Sequence, residues 1–145
     1  MSEVFTIAAT WDSAAKRGTL AIEDGGPKIA HGGAKSLGGE NSAANPEELL
    51  LAAVSACFVQ TWANFLAKLK VPIEAPALDG SCELDKDPAG GFRVTKVDLL
   101  PRVPAALWES RRADVEKTLS LAEKYCIVSK AVRGSLVLTV TPKPV

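Results

Sequence analysis

The chain carries no excess charge of either sign, with 17 Lys and Arg against 17 Asp and Glu in 145 residues. Such a balance offers no cationic face to a nucleic-acid backbone or an anionic membrane, so neither partner is expected. Cysteine and histidine are scarce, at three and one. Three thiols make a poor secreted disulfide scaffold, and a lone histidine beside them makes a poor four-ligand zinc site. Neither a metal site nor a bound cofactor is expected. The one stretch resembling a phosphate loop, Gly33-Ala34-Lys35-Ser36, has Ala34 and Ile29 where that motif needs glycine. The opening residues, Met-Ser-Glu-Val-Phe-Thr-Ile, show neither the basic nor the apolar segment of a secretion signal. What the chain does have is 47% hydrophobic residues, enough to bury a core and to argue against disorder. We expect one soluble, cytoplasmic domain over residues 1–145, without repeats or linkers and with reduced thiols.

The first forty residues read as strands and turns. Val4, Ile7, Ala9 and Trp11 form a loose extended pattern, and Thr19–Ile22 a second strand ended by Asp24-Gly25-Gly26-Pro27. Between them lies a polar turn carrying Lys16 and Arg17, and after them a glycine-rich loop with one short strand. Asn45, Pro46 and Glu48 then spell a helix start with a capping box, and no breaker follows until Val71-Pro72. This helix, roughly 35–40 Å long, is apolar around most of its circumference. Gln60, Asn64 and Lys68 interrupt the apolar run, which reads as a core or subunit-interface helix rather than a membrane span. Two strands follow, near 77–84 and 92–101, then a helix from about Pro104 to Tyr125 and a last strand over 136–140. The order predicts an α+β fold.

Cys57 falls in the middle of the long helix, on a stripe with Leu50, Ala53, Gln60 and Asn64. By residue type it is either a buried structural cysteine or a reactive one. A reactive thiol at mid-helix gains nothing from the helix dipole and needs a cation from elsewhere in the fold, Arg17 being a candidate. Glu47, at the second helical position, is favoured there by the dipole alone. Cys126 closes the later helix, Cys82 lies in a strand with nothing to activate it, and His31 reads as an exposed loop residue.

Taken together, Asn45-Pro46-Glu47-Glu48-Leu49-Leu50 followed by Ala56-Cys57-Phe58 resembles the central motif of the OsmC/Ohr family, the osmotically inducible and organic hydroperoxide resistance proteins. The family spaces a Pro-Glu pair ten residues ahead of Ala-Cys-Phe, as Glu47 and Cys57 do here. Lys16-Arg17-Gly18 is similar to the turn carrying the active-site arginine of the OsmC branch, and Cys126 with Ser129 matches the second family cysteine. The resemblance covers nearly the whole chain. It departs at Ile127, where relatives usually have a proline, which would fix the chain's exit from the helix and remove an N–H.

The resemblance implies antiparallel sheets around a long buried central helix, in an intertwined homodimer with active sites at the subunit interface. It implies a thiol peroxidase in oxidative-stress defence: the Cys57 thiolate takes an oxygen from an organic hydroperoxide, and Cys126 resolves the sulfenic acid as a disulfide. An external dithiol, often on a lipoyl-bearing protein, would be the reductant. Arg17 would stabilise the thiolate and polarise the peroxide, with Glu47 orienting the guanidinium. Ten helical residues separate Glu47 from Cys57 by about 15 Å, so a long arginine or a second chain must bridge them. Phe58 and Trp62 are expected to favour an apolar peroxide over hydrogen peroxide. Two other classes compete: a noncatalytic binder of an apolar ligand, and a cysteine-based redox sensor.

Overall fold

The helix signalled at Asn45 is the longest element, and its start follows the sequence signal. In a computed structural model that describes residues 2–23 and 25–145, α1 runs over Pro46–Lys68. The capping box forms in both directions: Glu48 N–H donates to Asn45 Oδ1 at 2.8 Å, and Asn45 N–H to Glu48 Oε1 at 3.1 Å. Two compact units make up the chain, Met1–Leu49 and Leu50–Val145, with the boundary inside α1.

In the first unit β1 (Ile7–Asp12), β2 (Arg17–Ile22) and β3 (Lys28–His31) form an antiparallel sheet in the order β1-β2-β3. The extended pattern expected from Val4 becomes a strand only at Ile7, where pairing with Ile22 begins. Asp24 of the expected turn, like Met1, lies outside the described residues. Gly18 is required where β2 crosses between its neighbours. A Cβ there would fall 2.2 Å from the Thr10 carbonyl and 2.3 Å from His31 Nε2. His31 is not the exposed loop residue expected: it pairs with Gly18 on β3, is half-buried, and its ring lies 5.7 Å from that of Trp11.

In the second unit β4 (Leu78–Lys86) and β5 (Phe92–Val103) form an antiparallel hairpin. The sheet is completed by β6 (Val137–Val140) and β7 (Lys143–Pro144), both parallel to β5. The intervening helices supply the crossover that a parallel neighbour requires. Those helices are α2 (Ala105–Ser110), α3 (Arg112–Tyr125) and α4 (Ile127–Val132). Sequence periodicity predicts a single helix from Pro104 to Tyr125, but the chain breaks at Arg111, with φ −136° and ψ 37°. There the guanidinium turns to Asp114 Oδ2 at 3.0 Å and the Lys70 carbonyl at 2.8 Å.

One face of α1, formed by Val54, Phe58, Trp62 and Leu66, is buried in the core of this unit with Val97, Leu99, Val115 and Ala122. Burial of each large side chain contributes about 2–3 kcal/mol. Trp62 Nε1 donates to Thr118 Oγ1 at 3.0 Å, so the indole ties α1 to α3 without a buried unpaired donor. By length and hydropathy α1 is apolar enough to cross a bilayer, but its largest side chains are buried among the protein's own strands and helices. Its opposite face, including Ala52, Ala53 and Ala56, is exposed in the single chain.

Candidate thiol site

Mid-helix placement on α1 half-buries Cys57, and the end of α3 fully buries Cys126. The two side chains, 69 positions apart in sequence by subtraction, meet in the second unit within hydrogen-bonding reach. Both are free thiols. Cys126 is the hinge between α3 and α4, with extended backbone at φ −65° and ψ 112°. That bend turns the start of α4 back toward α1.

The two thiols experience opposite shifts. Burial works to raise Cys57, but it is outweighed by the N–H of Val128, the Cys126 thiol, the N–H of Ile127 and the Thr61 hydroxyl. The net effect holds Cys57 below the ordinary thiol range. Burial is also the leading effect on Cys126 and pushes it up, with Cys57 pushing further and the Ser129 hydroxyl and N–H pulling partly back. At neutral pH Cys57 is therefore the readier thiolate and Cys126 the protonated partner.

The supporting residues were only partly legible in sequence. Thr61, one helical turn from Cys57, donates its hydroxyl to the Cys57 carbonyl at 2.8 Å. Its single proton serves one acceptor at a time, so it assists the sulfur only by leaving that carbonyl. An i, i+4 search from Cys57 finds it. Ser129 is fully buried, and its hydroxyl has no regular hydrogen-bond partner. It lies against the Cys126 sulfur, a weak acceptor as a thiol and a strong one as a thiolate. Phe58 and Trp62, expected beside a substrate, are instead fully buried in the core. Alternation of faces along α1 explains this, since both lie on the Val54–Leu66 stripe and Cys57 does not. Cys82 sits on β4 opposite Val97, packed against the core.

Arg17 and Glu47 belong to the first unit. Asp12 Oδ1 accepts from the N–H groups of Ala14 and Ala15 at 2.9 and 3.0 Å, and Lys16 adopts a left-handed φ of 50°. This turn starts β2 at Arg17. Ser42 then holds it from the far side, donating to the Lys16 carbonyl at 3.1 Å and accepting from the Arg17 guanidinium on its own carbonyl at 3.3 Å. Nothing in the sequence spacing marks Ser42. Glu47, in the first turn of α1, borders an open, mostly apolar cavity of about 370 Å³ lined by Trp11, His31, Ala34, Leu37 and Pro46.

Fold and site define an α+β protein built on a long helix, with two free thiols held in contact. Residues 39–141 match the family of OsmC-like proteins, and the chain belongs to that family. It is 33% identical over 110 residues to the organic hydroperoxide resistance protein of Xanthomonas axonopodis pv. citri, covering 74% of this chain and 72% of that one. The structure resembles an organic hydroperoxide resistance protein from Elizabethkingia anophelis, with a TM-score of 0.74, 28% identity, and 99% and 100% of the two chains covered. It also shares its fold with an OsmC-like protein of unknown function from Vibrio cholerae, at a TM-score of 0.81, 24% identity, and 99% and 100% coverage.

Proposed function

We propose that the protein is a cysteine-based peroxidase that reduces organic hydroperoxides, acting in the cytoplasm as a single functional domain over residues 1–145. The observation that carries this reading is the contact between two unequal thiols, Cys57 lowered and Cys126 raised. The Cys57 thiolate attacks one peroxide oxygen; the O–O bond breaks, an S–O bond forms, and the departing alkoxide takes a proton to become an alcohol. Sulfur is oxidised by two electrons and the peroxide is reduced by two. Cys126 then attacks the sulfenic sulfur, forming the disulfide and releasing water, and an external dithiol, free or on a lipoyl-bearing protein, restores both thiols while becoming a disulfide itself. The similarity to organic hydroperoxide resistance proteins supports an organic rather than an inorganic peroxide.

Titration of the pure protein with cumene hydroperoxide, counting free thiols, tests this. Two thiols should vanish per equivalent, and steady consumption should follow when dithiol is supplied. Unchanged thiols would point to a noncatalytic ligand binder, and one round of oxidation without dithiol-driven turnover to a sensor.

Arg17 is assigned the cation of the reaction and Glu47 its orienting carboxylate, on the strength of their places in the motif. Arg17→Ala should leave the fold intact, raise the Cys57 pKa and slow peroxide consumption by about 10²-fold. Arg17→Lys should recover little of that, because an ammonium lacks the guanidinium fork. Stopped-flow peroxide decay at neutral pH checks both, and an Arg17→Ala protein of full reactivity would remove Arg17 from the mechanism.

A homodimer fits the exposed surfaces. All six residues of β1 are exposed, Phe5 is 89% and Trp11 50% accessible, and the alanine face of α1 is bare. Exposed apolar surface of this kind, present on each unit, fits a protein–protein contact. Sedimentation at micromolar concentration should show twice the 15.2 kDa chain mass, and a lone 15.2 kDa species would refute the dimer.

A further inference from the structure

About 12 Å along α1 from Cys57 lies a surface that the chemistry at the thiols does not use. The Phe65 ring is 5.7 Å from that of Tyr125, the last residue of α3 and the neighbour of Cys126. Lys68 Nζ sits 5.4 Å over Phe65, and the Lys124 and Lys130 ammonium groups lie 5.2 and 5.7 Å from the Tyr125 ring. Each lysine stands in the last turn of its own helix, where the dipole favours a cation. The dipole accounts for each alone, but not for their gathering around one aromatic pair. Among the described residues none of the three forms an ion pair. Glu123, the acid adjoining Lys124, instead lines a separate cavity with Glu116 and Ser120. The whole chain is electrically balanced, so this concentration of cations is local. Tyr125 is 47% and Ile127 75% exposed, which gives the cationic rim an apolar centre.

We propose that this patch is the docking surface for an acidic protein that carries the reductant dithiol, with Phe65, Tyr125 and Ile127 at its centre and Lys68, Lys124 and Lys130 at its rim. The proposal deepens the peroxidase reading and rests on it for the use of the dithiol. A second copy of the chain meeting this patch across a two-fold axis would set lysine against lysine, so the charge favours an acidic partner. Docking here brings the dithiol to Cys57, which is half-buried where Cys126 is enclosed. One dithiol sulfur attacks Cys57 of the Cys57–Cys126 disulfide, the S–S bond breaks, and Cys126 leaves and takes a proton. The second dithiol sulfur then closes on the first and releases Cys57. Two electrons pass from the partner to the protein, and the partner's two protons go to Cys126 and to Cys57 or solvent.

The test supplies three reductants during turnover of cumene hydroperoxide: a reduced lipoyl-lysine peptide flanked by glutamates, its lysine-flanked counterpart, and free dihydrolipoamide. At low salt kcat/KM for the acidic peptide should exceed that for the basic one by about tenfold, and the gap should narrow as salt is added. The combined variant Lys68→Gln, Lys124→Gln, Lys130→Gln should lose this advantage while turning over free dihydrolipoamide as the wild type does. Equal rates with the two peptides, or an advantage that survives in the folded variant, would overturn the proposal. Should the variant fail to fold, carbodiimide cross-linking of the acidic peptide to the wild-type protein decides the matter. Links mapped to Lys68, Lys124 or Lys130 support the surface, and links confined to other lysines overturn it. A protein that turns over with dihydrolipoamide but ignores peptide charge would refute the docking surface alone. One that consumes no peroxide yet cross-links at these lysines would sink the peroxidase reading and leave the acidic docking surface standing.

Discussion

Cys57→Ser should abolish peroxide consumption, with a loss of more than about 10³-fold, while the fold and its thermal midpoint stay close to wild type. The size of the loss follows from the asymmetry of the site. Cys57 is the thiol held below the ordinary range, and its donors at Val128 and Ile127 are fixed by the fold. A serine hydroxyl in the same place keeps its proton at neutral pH and offers no comparable nucleophile. Cys126 cannot take over, since burial pushes it up and encloses it fully. Cys82 lies on β4, packed against the core, and Cys82→Ser should behave as wild type. The fold should tolerate Cys57→Ser because the side chain is half-buried and replaced by one of similar size. Peroxide decay followed with cumene hydroperoxide and dithiol, alongside a thermal melt, checks both halves. Turnover surviving in Cys57→Ser would move the nucleophile elsewhere.

What the sequence disclosed and what it withheld divide along physical lines. The start of α1 was legible because Asn45 and Glu48 act locally, three residues apart, and their reciprocal bonds form as the spacing requires. Cys57 and Cys126 are legible as motif residues, and their pairing only through the family resemblance, because the bend at Cys126 and α4, a helix of six residues too short to show a period, leave no local pattern that brings them together. Arg111 hid the break between α2 and α3 for a related reason. Its stabilising contacts include the distant Lys70 carbonyl, which no local pattern reveals. The buried roles of Phe58 and Trp62 could have been read from their four-residue spacing with Val54 and Leu66.

Cys126→Ser should separate the first chemical step from the second. Its Cys57 should still react once with an organic hydroperoxide at a rate near wild type, because Val128 and Ile127 continue to donate to the sulfur. The Cys126 thiol is among those donors, and a serine hydroxyl in its place can replace that contact. Steady turnover with a dithiol should fall by about tenfold or more. With no internal partner to condense with, Cys57 remains a sulfenic acid that dimedone traps and that further peroxide carries to the sulfinic acid. In the wild-type protein the same single equivalent should instead link Cys57 to Cys126. The thiols already meet, so closure needs only the approach to Cα atoms roughly 4.4–6.8 Å apart that a disulfide demands. Cys126 must ionise to attack, and its raised pKa makes this the slower step, quickening as pH rises. The Ser129 hydroxyl, without a regular partner beside the thiol, gains a full acceptor when that sulfur becomes anionic. Peptide mapping after one equivalent of cumene hydroperoxide decides the assignment. A Cys57–Cys126 bridge is the expected product, whereas a Cys57–Cys82 bridge, or a stable wild-type sulfenic acid, would take the resolving role from Cys126 and leave Cys57 as nucleophile.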